Sequence, residues 1–500
     1  MSKSIIIIGS GLGGLSCGVL MAKNGYKVTV LEQGLQIGGC LQCFARRGVR
    51  FETGMHFIGS ADKGQTLSRL LNLLELSEDR LELNRLDTTA YDTISLNGEK
   101  FKFANGREPF LEQMSSYFPK EADNLVRYFD LIEKLAQASS LHSLRHAETD
   151  LTASSEYMMR SINEVIDSYF DDEMLRSVLV GNLPLYAGEK DKTPFSTHAY
   201  IADFYNQSAF RVVGGSDRIA VELKKTIEKY GGEVLTKKKV TKIVCDETHA
   251  TGVTTSDECF YAADYIISTA HPTRTMEMLD TKLIRPAFRN RLMNLRNTTA
   301  GFSVYLHFKK DRVPFMNTNY YSYAGNTPWN CEIYDEESWP KGYLYMHFCH
   351  EKNPKFAESG VILSYMTMDD VAEWSDTTIG RRGEDYKAFK ERKAKKLLAS
   401  LEKEFPGICD CIEYYYTSTP LTYRDYTGTE GGSMYGVAKD ISLGISNRAP
   451  HRTRVPNLYL SGQNINSHGI LGVLVGTIVT CSEFLTSEEI YKQIIASNEI

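Results

Sequence analysis

At 500 residues, with 42% apolar and 24% charged side chains, the chain can bury a full core and is long enough for two or three domains. A formal net charge of −6 argues against a nucleic-acid binder, which would show a basic face. Ten cysteines in no framework spacing favour a reducing, cytoplasmic setting, and no apolar run reaches the length of a membrane helix.

The first apolar run, residues 5–22, suits either a secretory signal or the opening of a nucleotide-binding fold. Glycines at 9, 11, 13 and 14 interrupt it after four isoleucines, where a signal needs an unbroken apolar core. The isoleucines predict a buried strand, Leu12 to Asn24 a helix ending near Gly25, and "YKVTVLE" a second strand. In this βαβ unit Gly9, Gly11 and Gly14 fit G-x-G-x-x-G. Gly9 allows the tight turn, Gly11 lets the backbone approach a pyrophosphate, and Gly14 lets the helix pack against the strand, with the phosphates at the helix N-terminus. Gly13 joins them as a candidate cofactor-binding residue. Glu32, with Gln33 beside it, ends the second strand about 20 residues on, where a carboxylate can accept a ribose hydroxyl. "EQGLQIGGC" then returns Gly38 and Gly39 beneath the same pyrophosphate, a second glycine pair that many FAD domains carry and nicotinamide-only domains do not need.

Cys40 and Cys43 form C-x-x-C, but a thioredoxin-type pair would open a helix after a strand and a zinc site would need a second pair. No metal site is expected; "MHFCH", with His347 and His350, reads as a strand end. Residues 76–205 read as helices. "FPKEADNLVRYFDLIEKLAQ" places Pro119 in a first turn and repeats Leu125, Phe129, Ile132 and Leu135 as a stripe, core packing with membrane contact as the alternative. The acids of "FDDEMLRSVLV" read as a helix N-terminus capped by Asp171 or Asp172.

"VVGGSDRIAVELKKTIEKYGGEVLTKKKVTKIV" predicts a glycine turn, a helix and a strand in which the Val240 backbone meets an adenine edge. "YAADYIISTAHP" adds a buried strand stopped by Pro272. In "AGFSVYLHFKK", Phe302, Val304, Leu306 and Phe308 share one face of a strand, and four tyrosine-rich segments through "EYYYTSTPLTY" extend the sheet. Such a sheet can wall a long apolar substrate, although Tyr and Phe are also plain strand formers. The basic stretch "YKAFKERKAKKLLASLEKEFPG" reads as a solvated helix face. At the far end, "NLYLSGQNINSHGILGV" sets backbone N–H groups at a helix N-terminus, suited to the flavin edge where negative charge grows on reduction.

Together, "GSGLGGLSCGVLMAKNGYKVTVLEQGLQIGGCLQCFARRGVRFETGMHFIG", "RVVGGSDRIAVEL", "TPLTYRDYTGTEGGSMYG" and "NLYLSGQNINSHGILGV" resemble the FAD-dependent phytoene desaturase, carotenoid isomerase and retinol saturase family, the saturase and isomerase branch in particular. The resemblance implies an α/β fold: a discontinuous Rossmann-type FAD domain (1–75, 206–289 and 441–500) with an inserted α+β substrate domain, a helical lid at 76–205 and a sheet at 290–440. It implies noncovalent FAD on Gly9, Gly11, Gly14, Glu32, Gly38, Gly39, Val240, Gly462 and the turn that holds Gly469, Ile470 and Leu471. Glu52 stands where relatives usually have Asp. Cys40 replaces the arginine of the desaturase branch, and Gln463 stands where amine oxidases have an acid.

Chemistry on a C=C bond needs a proton donor or acceptor opposite the flavin. His56 in "ETGMHFIG" is the first candidate, a structural histidine being the alternative; Tyr435 and Tyr205 rank second, and His468 would tune the cofactor. Three functions stay open: saturation or desaturation of a polyene, isoprenoid or other long-chain lipid; redox-neutral isomerisation with reduced FAD; and prenyl binding without flavin, as in the Rab GDP-dissociation inhibitors. No second G-x-G-x-x-G is present for NADPH, so oxygen, quinone or a separate reductase is expected as the electron partner.

Overall fold

The computed structural model describes residues 2–144, 155–349, 351–352 and 354–499. Near-continuous apolar runs such as Ser4–Ile8 and Tyr265–Ser268 have no polar face to give to water, so they assemble as parallel strands covered on both sides. The parallel sheet runs in the order Glu233–Leu235, Lys27–Leu31, Ser4–Ile8, Tyr265–Ser268, Leu458–Leu460. Three distant stretches of chain therefore build one sheet. The helix Leu12–Lys23, buried along most of its length, packs against Asp217–Lys229 and Gly469–Cys481. Strand order reverses at Ser4–Ile8, and a nucleotide crevice opens at the carboxyl ends of strands on either side of such a reversal.

A second sheet of seven strands runs Ile412–Ser418, Ala300–Phe308, Ser359–Met366, Gly342–Phe348, Asn319–Tyr323, Asp92–Leu96, Glu99–Phe103. Only Asn319–Tyr323 with Asp92–Leu96 is parallel. Phe302, Val304, Leu306 and Phe308 face the Gly383–Glu404 helix through Phe389, Leu397 and Leu401. On the opposite face Tyr305, Tyr321, Tyr323 and Tyr365 pack with Leu125, Phe129, Ile132 and Leu135.

Several details differ from the sequence expectation. The 76–205 region is not all helical, because Asp92–Leu96 and Glu99–Phe103 form a hairpin at the sheet edge. Its turn, Asn97-Gly98, has φ of 50° and 87°, the pair of positive values that a tight hairpin turn demands. The helical stripe at 125–135 is buried, so it offers no face to a membrane. "EYYYTSTPLTY" is not one strand: it ends at Ser418, and Thr419 caps the helix Pro420–Thr427 in a reciprocal capping box. In the basic helix, Lys393 is fully buried, 2.6 Å from Glu336 and against the Trp339 ring. Asp172 caps Glu173–Leu179, accepting from Leu175 N at 2.9 Å. His347 lies inside the Gly342–Phe348 strand, and His350 falls outside the described residues. Among the described residues no helix is long and apolar enough to cross a membrane.

Candidate active site

The turn after Ser4–Ile8 is held by the Gly9 N–H donating to the Leu31 carbonyl at 2.9 Å. A side chain on Gly14 would place its Cβ 2.0 Å from the Gly9 carbonyl oxygen, so only glycine lets the helix start this close to the strand. Gly38, at φ +112°, donates to the Ser10 carbonyl at 2.9 Å and pairs with Gly11, which sets the second glycine pair directly under the first turn. Gly39 follows it, 3.2 Å from the Gly11 Cα as measured from an added Cβ. Gly11 itself behaves differently: a Cβ there would meet nothing within 4 Å. The open cradle at a helix N-terminus is the shape and polarity that a pyrophosphate fits.

Glu32 is buried at the end of its strand. Its Oε2 accepts from Ser10 N at 3.0 Å and Ser10 Oγ at 2.6 Å, and Oε1 accepts from Gly34 N at 2.7 Å. Ser10 was not singled out from the sequence; a hydroxyl between two glycines of the motif was the available signal. Gln33 is exposed beside Glu32. Lys238 N donates to the Glu32 carbonyl at 2.7 Å, which brings the start of the strand Val240–Cys245 alongside, with Val240 buried. Because one hydrogen bond to a charged acceptor is worth about 1.5–3 kcal/mol, Glu32→Ala should weaken FAD binding about 10- to 150-fold, read by titrating apoprotein with flavin. An unchanged affinity would remove Glu32 from the cofactor site.

The C-terminal segment closes the other side. An added Cβ on Gly13 would lie 2.9 Å from the Gly462 Cα, so the first helix and the 462 turn touch backbone to backbone. Gln463 follows that turn, and Gly469, Ile470 and Leu471 open the helix Gly469–Cys481 with Ile470 buried. His468 sits at the N-cap without capping through its side chain. Burial and the neighbouring Lys439 push its pKa down to about 3, so it is neutral at physiological pH. Its ring lies 4.7 Å from that of Tyr435.

Of the proton-transfer candidates, His56 lies on the loop after the strand Val49–Glu52. Its Nδ1 is 3.5 Å from Glu52 Oε2, and both atoms are buried without a hydrogen-bond partner. Glu52 Oε1 accepts from Ser216 N at 3.1 Å, and the His56 ring lies 5.6 Å from Phe348. Tyr435 donates its hydroxyl proton to the Pro184 carbonyl at 2.9 Å, and burial raises its pKa. Burial first, then the neighbouring Tyr435 and Asp92, raise that of Tyr205, whose ring is 5.1 Å from Phe57. Tyr205 and Tyr435 pack against the same buried aromatic cluster that contains Phe348, the ring beside His56. A cavity beside it is lined by Pro184, Tyr323, Cys331, Leu363, Tyr365 and Met434.

Residues 12–386 match the flavin containing amine oxidoreductase family. The chain belongs to this family. FAD is its cofactor, and it is a flavin-dependent oxidoreductase. Within the wider group it is 26% identical to all-trans-retinol 13,14-reductase of Danio rerio, covering 97% of this chain and 86% of that one. The same enzyme of Rattus norvegicus is 28% identical over 98% and 87%. Prolycopene isomerase of Daucus carota is 24% identical over 94% and 77%. Among solved structures, an oxidoreductase from Methanosarcina mazei superposes with a TM-score of 0.65 at 16% identity, covering 96% of this chain and all of that one. Putrescine oxidase gives 0.64 at 15% identity over 99% of both chains. These two likenesses show that the fold is shared.

Proposed function

We propose that this family member saturates a carbon–carbon double bond in a polyene, isoprenoid or other long-chain lipid. The observation that carries the reading is the cavity wall: Tyr323, Leu363 and Tyr365, on one apolar face of the sheet, line the cavity with Met434, while Tyr305, Tyr321 and Met346 back it from the same face. The relatives that are all-trans-retinol 13,14-reductases support it. Two phenol hydroxyls of this wall, on Tyr321 and Tyr365, are buried without a partner. An unmade hydrogen bond costs about 1–3 kcal/mol, so these groups favour a substrate that carries an oxygen.

FAD, when bound and reduced, would supply the hydride that saturation of the double bond needs. His56 delivers the proton to one carbon of that bond; Nδ1 faces Glu52, which leaves Nε2 to carry it. Glu52 faces Nδ1 at 3.5 Å, and the ring recovers its proton from solvent after turnover. The cradle of Gly9, Gly11, Gly38 and Glu32 would hold the cofactor, and the sheet keeps the substrate dry. Electrons enter from a partner outside the chain. The ten free thiols fit a reducing compartment such as the cytoplasm.

Isomerisation with reduced FAD is the second reading, supported by the isomerase relative. The test is anaerobic: holoenzyme is reduced and mixed with polyene alcohols and the matching hydrocarbons. Reoxidation of the flavin by a polyene, faster with the alcohols, is expected. A flavin that stays reduced with every polyene yet is reduced from its oxidised form by amines would overturn the reading.

A further inference from the structure

Arg211 lies on the strand Ala209–Val212, a residue that neither the nucleotide motifs nor the aromatic wall accounts for. It is buried, and its guanidinium spans the two halves of the molecule. Nη1 donates to the His56 carbonyl at 3.0 Å, and Nη2 donates to Asn319 Oδ1 at 2.8 Å. Asn319 Nδ2 continues to Asp92 Oδ1 at 2.8 Å, and Asn182 Nδ2 reaches Asp92 Oδ2 at 3.4 Å. The guanidinium stacks over Phe348 at 4.8 Å, the same ring that flanks His56.

Burying ions costs several kcal/mol each, and apolar replacements often stabilise, so such a network is a poor device for stability alone. Its satisfaction is also uneven. At the Asp92 end both carboxylate oxygens have partners, whereas at the His56 end Arg211 Nε, Glu52 Oε2 and His56 Nδ1 are all buried and open. A network serving packing would close throughout.

We propose that Arg211 is a positioning residue for His56, pinning its loop to the substrate sheet and, opposite Glu52, setting the charge felt by the imidazole. The inference rests on the reading of His56 as proton donor. A lysine cannot replace it, because a point charge does not bridge two fixed acceptors as a planar fork does. Burial lowers the Arg211 pKa to about 10, against which Glu52 and then Asp92, its own pKa lifted by burial to about 7, pull it up; Arg211 in turn helps burial hold His347, at a pKa of about 3, neutral. Glu52 is the strongest of the anions acting on it. Tyr205 and Tyr321, held above the usual phenol range by burial, add no charge near neutrality.

The test uses holoenzyme labelled with 15N-histidine, the His56 signal being the one that His56→Phe removes. Arg211→Met deletes a cation that opposes the imidazolium and leaves Glu52 in place. The midpoint of the His56 titration should therefore move to higher pH, by at least about half a unit. With an accepted polyene, kcat should fall about 10- to 100-fold with KM within about twofold, and that loss should vanish in the His56→Phe background. A midpoint that stays or moves down overturns the proposal, as does an equal loss in both backgrounds. Should Arg211→Met fail to fold, Arg211→Lys decides: the charge is kept, so the midpoint holds while kcat falls, and wild-type kcat overturns the proposal. If wild-type enzyme turns over no polyene, the proposed function fails while the midpoint still decides the role of Arg211.

Discussion

Gly11→Val should yield a folded, colourless protein. A Cβ at this position meets no protein atom within 4 Å, so the branch point of a valine fits without a backbone clash and the fold should persist. The side chain does fill the cradle at the helix N-terminus, where backbone N–H groups and the helix dipole would face a pyrophosphate. Blocking that approach removes the backbone N–H contacts a pyrophosphate would need, and flavin should be lost from the purified protein altogether. Gly14→Val provides the contrast: its Cβ lands 2.0 Å from the Gly9 carbonyl, so the strand–helix junction itself must break. Flavin absorbance per mole of protein, with the melting temperature of each variant, separates the two. Stoichiometric flavin in Gly11→Val would mean that the open cradle holds no phosphate.

His56→Phe should keep yellow colour and most of its thermal stability while turnover falls about 10²- to 10⁴-fold, the range for a lost general acid or base. A phenyl ring suits the site, since Phe348 already lies 5.6 Å from the imidazole and no hydrogen bond joins the ring to Glu52. Loss of FAD or unfolding would make His56 structural. Unchanged turnover would pass the proton to Tyr205, Tyr435 or water, although the Tyr435 hydroxyl is already donating to Pro184.

The nucleotide half was legible because its signals are local. Gly9, Gly11 and Gly14 lie within one turn, and the apolar runs at 5–8 and 265–268 are short enough to read directly as covered strands. The edge hairpin was also legible in principle, since Asn97-Gly98 between alternating segments is a strong turn signal; the helical reading of the surrounding region obscured it. The buried polar network was not. Arg211 meets His56 from 155 positions away and Asn319 from 108, and Asn319 meets Asp92 from 227. No periodicity links such residues, and an arginine or aspartate in a strand pattern looks like an exposed position. The burial of Lys393 was hidden for the same reason, Glu336 and Trp339 lying in a loop 54 to 57 residues upstream. Glu52, first noticed only as a departure from the usual aspartate, gains a meaning in three dimensions. Its carboxylate binds Ser216 N with one oxygen and leaves the other toward His56.

The most direct measurement is the mass of the product formed in a single anaerobic turnover. Enzyme carrying reduced FAD is mixed with a polyene alcohol, and substrate and product are compared by mass spectrometry. Saturation by hydride and proton requires a product heavier by two hydrogens, one mole for each mole of flavin reoxidised. A product of unchanged mass with the flavin still reduced would contradict saturation and establish isomerisation in its place.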